Sequence, residues 1–217
     1  MICSLIPLIC AHFDSVDLSR RCIAGEGAFY SLKLDYVQDG TPMAIAGDYK
    51  WSTIEVDKRG NARMSINARS LVVSVKGTER TAPPFENFEQ RFGPNGLPDS
   101  LPFEESEFAY AVICIAQYVP ANKTDLHKPF PIRWESADNK TKIIGTGTLE
   151  SLKSSDGMGI AEIRCTARIV PASEMLAQIE WRSQLAVSNG RLRSCKGSFE
   201  ALDGGGKFEI AITKVEN

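Results

Sequence analysis

The chain has 217 residues, of which 43% are hydrophobic and 24% are charged, and its formal net charge is -2. A chain of this length can bury a substantial core, and it contains no run of about 18 apolar residues that could span a membrane. Its Lys and Arg residues are scattered, whereas a nucleic-acid-binding surface needs them clustered on one face. No nucleic-acid partner is therefore expected.

The N-terminal segment "MICSLIPLICA" is apolar but short, and no Lys or Arg precedes it. A secretory signal begins with basic residues, continues with an apolar stretch and ends at small residues. The segment is therefore interpreted either as the remnant of a signal that begins upstream, or as a first strand or arm packed on the core. Membrane association is expected only through such an upstream segment. If the present start is the true one, a cytoplasmic location is expected.

The first clear element is a β-hairpin. The segment "WSTIEVDKRG" is a strand followed by a polar turn, and "NARMSINAR" alternates apolar and polar residues with period two. This alternation is typical of a half-buried strand, because successive side chains point to opposite faces. The residues predicted to face inward are Ala62, Met64, Ile66 and Ala68.

Proline and aromatic residues crowd the next stretch, from 83 to 110, which is typical of a segment lying across the mouth of a sheet. Within it, Asn95-Gly96 predicts a tight turn, since both residues accept positive φ angles. The run "EESEFAYAVICIAQYVP" follows, from Glu104 to Pro120. Its acidic start, its Ala content and its final Pro favour a helix near 104–117, although its β-branched residues leave a buried strand open.

The second half of the chain repeats the pattern of the first. "PFPIRW" leads into "GTLESLKSSDGMG", a strand and turn, and then into "GIAEIRCTAR", whose apolar residues alternate in the same phase as those of "GNARMSINAR". Asn189-Gly190 predicts a second tight turn, and "KFEIAITKV" predicts a final strand. The inward residues of the second repeated strand are predicted to be Ala161, Ile163, Cys165 and Ala167. Ile54 to Ala68 and Thr148 to Ala167 are therefore expected to be equivalent hairpins.

These elements predict a mainly β fold with a minor helix (α+β). We expect a curved antiparallel sheet or unclosed half-barrel built from two similar halves, with one helix covering the open face of the sheet. The chain is expected to form a single domain, 1–217, with an internal duplication. The first half is approximately 27–101, the connecting helical segment 102–120 and the second half 121–217.

The pattern over Gly27 to Val215 resembles a family of bacterial extracytoplasmic β-rich proteins, many without known function. The resemblance lies in "IEVDKRGNARMSI" at Ile54 to Ile66, "PFPIRW" at Pro129 to Trp134 and "NGRLRSCKGSF" near the end. These proteins are similar to the unclosed half-barrel of LolA-type lipoprotein carriers. The resemblance implies a non-enzymatic protein of the periplasm or cell envelope, with a hydrophobic ligand or a lipoprotein as its partner. Members usually carry a plain signal peptide or lipobox, which this chain does not show.

No catalytic, metal-binding or cofactor-binding motif is present. The six cysteines form no C-x-x-C pair, and most are expected to be buried free thiols. The fragment "GMGIA" is interpreted as a turn because no helix follows it. His127 is expected in a solvated loop. His12, beside Cys10 and Asp14, gives only thin support for a metal site or a nucleophile, so no catalytic residue, metal or cofactor is predicted.

The remaining candidate site is the inner face of the sheet, which could hold an acyl chain or could be plain core. Three functions follow: a binding or scaffold protein that accommodates a lipid or lipoprotein acyl chain, an envelope structural or interaction protein without a small ligand, or an enzyme with an unrecognised site. The oligomeric state is left open. The residues predicted to line a ligand are Met64, Ile66, Phe88, Phe92, Phe108, Ile163 and Cys165.

Overall fold

A computed structural model describes residues 15–38, 40–82, 88–101, 108–139, 141–155, 157–171, 177–201 and 206–215. The strands and the helix, in chain order, are β1 (Ser15–Val16), β2 (Gly27–Gln38), β3 (Thr41–Val56), β4 (Ala62–Val75), β5 (Thr78–Ala82), β6 (Phe88–Phe92), α1 (Phe108–Ala116), β7 (Thr124–Asp125), β8 (Pro129–Glu135), β9 (Thr141–Ser155), β10 (Met158–Pro171), β11 (Ala177–Ala186), β12 (Leu192–Ala201) and β13 (Gly206–Val215). The apolar segment before residue 15 and the acidic residues Glu104, Glu105 and Glu107 lie outside the described residues.

Eleven strands form one antiparallel sheet. Ten of them follow the order β5-β4-β3-β2-β13-β12-β11-β10-β9-β8, and β6 pairs with β4 next to β5. Chain neighbours are mostly spatial neighbours, except that β13 returns to pair with β2 at the centre of the sheet. Within the described residues, the edge strands β5 and β6 do not pair with the other edge strand, β8. The sheet is therefore an unclosed half-barrel, which confirms the predicted fold class.

The two repeated strands are β4 and β10, and both follow the predicted alternation. All eight residues predicted to face inward are buried: Ala62, Met64, Ile66, Ala68, Ala161, Ile163, Cys165 and Ala167. Their neighbours Arg63, Arg69, Arg164 and Arg168 are exposed. A one-residue slip would turn each buried set to water, so the hydrophobic pattern fixes the register of both strands. The equivalence of the two complete hairpins stays a prediction.

Local irregularities bend the sheet. The register shifts between Asp48 and Tyr49 and between Thr53 and Glu55 in the β3–β4 pair, and between Glu162 and Ile163 in the β10–β9 pair. An extra residue in one strand increases the local twist and bends that strand, so these shifts curve the sheet around its apolar face.

The edge strand β8 carries Pro129 and Pro131, both exposed. Proline has no N–H to donate, so it is tolerated at a free sheet edge and weakens edge-to-edge pairing with another chain.

The connecting segment forms a helix, as the sequence favoured, and not a strand. α1 lies against β13 at the middle of the sheet, and residues 111–119 are all buried. No helix among the described residues is long and apolar enough to cross a membrane.

The strand assignment predicts different costs for two neighbouring substitutions in β10. Ile163→Asp should lower the free energy of unfolding by about 3 kcal/mol or more, because a carboxylate would lose its water in the core. Arg164→Ala should change it by less than about 0.5 kcal/mol, since that side chain is exposed. Urea unfolding of both variants measures the difference. Equal costs would show that the strand is wrongly oriented.

Candidate functional site

The residues predicted to line a ligand lie on the inner face of the sheet, on two separate walls. Met64 and Ile66 of β4 and Phe92 of β6 are on one wall, and Ile163 and Cys165 of β10 are on the other. All five are at most 1% exposed. Phe88 is half-buried at the start of β6, and Phe108 begins α1, although its side chain lies outside the described part of the structure. Five strands of the sheet lie between β4 and β10, so a ligand that touches both walls would occupy the trough of the half-barrel.

Helix α1 now occupies that trough. Its sequence FAYAVICIA carries no charged residue, and the side chains of 111–116 are buried all around the helix. A helix that is apolar on every side needs protein around it, and the inner face of the sheet supplies this environment. The trough is therefore filled by a piece of the chain whose surface is as apolar as an acyl chain.

The segment Gly93–Ser100 spans the gap between the two edges of the sheet. On the β6 side, the Asp99 N–H donates to the Arg91 carbonyl at 2.9 Å, and the Gln90 amide donates to the Ser100 carbonyl at 2.7 Å. On the β8 side, the Trp134 indole donates to the Pro98 carbonyl at 3.0 Å. The Ala137 N–H donates to the Asp99 carbonyl at 2.8 Å. We name this segment the latch, because its hydrogen bonds tie the two edges together, and no strand ladder of the described residues does so.

The latch also holds the C-terminal end of α1. The predicted turn at Asn95-Gly96 is formed, and the Val119 N–H donates to the Asn95 carbonyl at 2.9 Å. Gly96 has a φ of +74°, and a Cβ atom there would lie 2.1 Å from the Gln117 carbonyl oxygen. This turn therefore needs glycine for two reasons, its positive φ and the close approach of the helix end.

A strap formed by residues 17–26 crosses the same end of the half-barrel. The Arg20 N–H donates to the Pro94 carbonyl, and the Arg21 N–H donates to the Asn189 carbonyl, each at 3.0 Å. The Arg20 side chain turns inward and is only 6% exposed. Its Nη2 donates to Gln117 Oε1 at 2.6 Å, and its guanidinium lies over the Trp51 ring at 5.2 Å. The strap, the latch and the helix end thus meet around one buried guanidinium.

Three buried polar atoms lie at this meeting point and make no hydrogen bond of normal geometry with the described residues: Arg20 Nη1, Gln117 Nε2 and the Tyr49 hydroxyl oxygen. The Gln117 side chain is nevertheless close enough to the Tyr49 hydroxyl to interact with it. Burial raises the pKa of Tyr49 well above its usual value, and the adjacent Gln117 side chain opposes this only in part. Tyr49 therefore stays a neutral hydroxyl that can donate. We name these three side chains the polar node.

Trp51 connects the polar node to the apolar wall of the trough. Its indole N–H donates to the Met64 sulfur at 2.8 Å, and its ring meets the Phe92 ring edge-on, with centroids 4.9 Å apart. Arg20 lies over the same ring. A charged group and the predicted lining residues therefore belong to one continuous contact surface.

The polar node was missed in the sequence because its members are far apart along the chain. Arg20 lies before the first long strand, Tyr49 lies inside β3 and Gln117 follows α1. One signal was available: Gln117 is the single strongly polar residue in the run from Phe108 to Val119. A buried polar side chain at the end of an apolar helix requires a partner, which points to a polar site there.

A surface cleft of about 510 Å³ lies at the turn between β3 and β4, lined by Glu55, Val56, Asp57, Asn61, Arg63 and Arg91. Arg63 pairs with Glu55 and Glu89, and Arg91 pairs with Asp57 at 2.7 Å. Hydrogen bonds, first of all from the Asn61 side chain, hold the pKa of Asp57 at about 2. Because both arginines have carboxylate partners, the cleft gives no reason to expect a charged ligand.

The described residues offer little for catalysis. They contain no group of three His, Cys, Asp or Glu residues that could hold a metal ion. His127 is exposed in a turn, as predicted, and Cys10, His12 and Asp14 lie outside the described residues. Cys114, Cys165 and Cys195 are buried free thiols, and burial raises the pKa of Cys195 to about 12. A thiol with such a pKa is not a nucleophile at neutral pH.

Comparison with known proteins gave no matching family model and no matching curated protein. Among solved structures, the chain is similar to a DUF1329 family protein from Desulfovibrio piger, with 10% identity, a TM-score of 0.29 and coverage of 87% of this chain and 84% of that chain. It is also similar to an outer membrane lipoprotein-sorting protein domain from Vibrio parahaemolyticus, with 9% identity, a TM-score of 0.21 and coverage of 88% and 87%. Because both TM-scores are below 0.5, function has to be argued from the geometry of this chain.

Two glycine substitutions test whether the latch and the helix end depend on their close contact. Gly60→Ala should cost about 1 kcal/mol, because the residue has a φ of +82° but no atom lies within 4 Å of the added Cβ. Gly96→Ala should cost about 3 kcal/mol or more, because its Cβ must also displace the Gln117 carbonyl. Thermal and urea unfolding compare them. Similar costs would mean that the end of α1 is not held against the latch.

Proposed function

We propose that the chain is a non-enzymatic binding protein that holds the acyl chain of a lipid or lipoprotein in the trough of its half-barrel. The observation that carries the proposal is the uncharged helix α1, which fills an apolar trough in a sheet that does not close by its own hydrogen bonds. In this proposal α1 is a cover that the ligand displaces.

Displacing α1 would break none of the strand ladders of the sheet. Every strand of the sheet is paired with another strand, and α1 takes part in none of these ladders. Among the described contacts at its C-terminal end, the Val119 N–H donates to the Asn95 carbonyl and the Gln117 side chain accepts from Arg20. Its buried residues 111–116 pack through apolar contacts, which are non-directional and can be replaced by other apolar groups.

An acyl chain can compensate for the displaced helix. Burial contributes about 0.8 kcal/mol per CH₂ group, so a chain of about 15 such groups contributes about 12 kcal/mol. This is of the same order as the burial of the several large apolar side chains of α1, at about 1.5–3 kcal/mol each. The two states can therefore be close in free energy, which a carrier that loads and releases its ligand requires.

A second candidate is an interaction or scaffold protein without a small ligand. It is favoured by the completeness of the packing, since Met64, Ile66, Phe92, Ile163 and Cys165 are almost fully buried with α1 in place. In that case α1 is a permanent part of the core. The two candidates differ in one respect, which is whether α1 leaves the trough when an acyl chain is offered.

The location that accompanies the proposal is the cell envelope. It is supported by the apolar segment "MICSLIPLICA" and by the resemblance of the repeated strands to extracytoplasmic proteins. Fractionation of cells that produce the chain from its genomic start tests the location.

The rates at which the native cysteines are labelled show whether α1 leaves the trough. Cys114 lies in α1, whereas Cys165 and Cys195 face the trough from the sheet, and all three are buried. Saturating palmitate should increase the rate at which N-ethylmaleimide labels Cys114 by about tenfold or more, because the helix moves into water. Cys165 and Cys195 should stay protected by the bound chain. Mass spectrometry of peptides assigns the label to each cysteine.

Glutathione added to the same mixture is the control, and N-ethylmaleimide should label it at a similar rate with and without palmitate. Palmitate uptake without any change at Cys114 would contradict the role of α1 as a cover. Absence of palmitate uptake would favour the scaffold.

A further inference from the structure

The guanidinium of Arg20 is a buried charge that lacks a counter-charge. It is 94% removed from solvent, and no ion pair joins it to a carboxylate within the described part of the chain. Its neighbour Arg21, by contrast, is exposed and pairs with Asp17. Burial of an unpaired charge is costly, and proteins normally offset it with a paired charge and a full set of hydrogen bonds.

The present partners of Arg20 are neutral. Nη2 donates to the Gln117 amide oxygen, the guanidinium plane lies over Trp51, and the end of α1 adds the partial negative charge of its carbonyls. Nη1 donates to no described atom. An arginine is planar and presents its donors as a fork, so a group with two oxygens fits it better than a single amide oxygen.

Further donors surround the same point. The Tyr49 hydroxyl and Gln117 Nε2 are buried next to each other, and neither makes a hydrogen bond of normal geometry with the described residues. Arg191 and Arg20 lie close enough to affect the pKa of the Cys22 thiol, and Arg193 acts with Arg20 on the pKa of Tyr30. Of these arginines, Arg191 pairs with Glu26. The end of the trough therefore offers several hydrogen-bond donors, including the buried guanidinium of Arg20.

Two features limit the size and shape of the ligand that these donors can bind. The polar node is closed over by the strap and the latch, so the anionic group must be small. On its inner side the node continues through Trp51 to Met64 and Phe92. A ligand whose anionic group meets the donors thus has an apolar path along Trp51.

We infer that the ligand is a single-chain amphiphile with a small oxyanion head, an ionised long-chain fatty acid, whose carboxylate binds Arg20 Nη1 and the Tyr49 hydroxyl while its chain runs along Trp51 and Met64 into the trough. The inference rests on the proposed function and adds the chemical class of the ligand and the residues that select its head. Arg20 and Tyr49 become specificity-determining residues, and the lining residues set affinity for the chain.

Displacement of the neutral probe 1-N-phenylnaphthylamine by palmitate and by hexadecanol tests the inference, at alkaline pH where palmitate is ionised. The two ligands have chains of equal length and differ in the head. Palmitate should bind about tenfold more tightly than hexadecanol, because its charged carboxylate forms stronger hydrogen bonds with the donors than the uncharged alcohol does. Arg20→Met should lower the affinity for palmitate by about tenfold or more and change the affinity for hexadecanol by no more than about twofold.

Tyr49→Phe is the second variant, because it removes one oxygen atom whose contact with the Gln117 side chain is weak, and it should fold even where Arg20→Met does not. It should lower the affinity for palmitate by about threefold or more and leave the affinity for hexadecanol unchanged. Arg21→Met is the matched control and should change neither ligand, because Arg21 is exposed. If palmitate and hexadecanol bound equally and neither substitution changed their binding, the inference would be overturned but the proposed function would stand. That result would mean that only water occupies the polar node. Failure to bind either ligand would overturn the proposed function and the inference with it.

Discussion

The inner face of the eleven-stranded sheet is apolar, and the edges of that sheet do not pair with each other among the described residues. A sheet of this kind has to be covered, because leaving one large apolar face in water would cancel much of the gain from folding. The chain covers the face with an insertion between β6 and β7. The insertion contains the latch, which ties the two edges together, and α1, which fills the trough. Packing, edge closure and the candidate ligand site all follow from this one requirement.

The same requirement explains the polar node. A helix placed inside a trough ends inside it, and its last carbonyl groups and Gln117 cannot reach bulk water. The strap places the buried Arg20 beside Gln117. The latch places a turn against the Gln117 carbonyl, and the turn can come this close only because Gly96 has no side chain. The described residues give Arg20 Nη1 no hydrogen-bond acceptor, and the contact between the Gln117 side chain and the Tyr49 hydroxyl is not a hydrogen bond of normal geometry. Buried polar groups in folded proteins are nearly always satisfied, so this site is where a bound molecule is most strongly expected.

Much of the fold could be predicted from local patterns. The period-two alternation in β4 and β10 fixed which residues face inward, and Asn95-Gly96 and Asn189-Gly190 marked real turns. The helix was favoured over a strand by its flanking residues. The latch and the polar node could not be predicted from the sequence, because they join residues such as Arg20 and Gln117 that become neighbours only when the sheet curves. Periodicity reports which face is buried, and it carries no information on what fills the space opposite that face.

The account's central claim is that the trough holds an acyl chain with its anionic head at the polar node. A crystal structure with a fatty acid brominated at its terminal carbon tests this claim most directly, since anomalous scattering locates the bromine. The account predicts the bromine inside the trough, beside Met64, Ile66 or Phe88, with the carboxylate within hydrogen-bond distance of Arg20 and with α1 moved from its present position. A bromine on the outer face of the sheet, or a bound fatty acid with α1 in place and Arg20 without an oxygen partner, would contradict it.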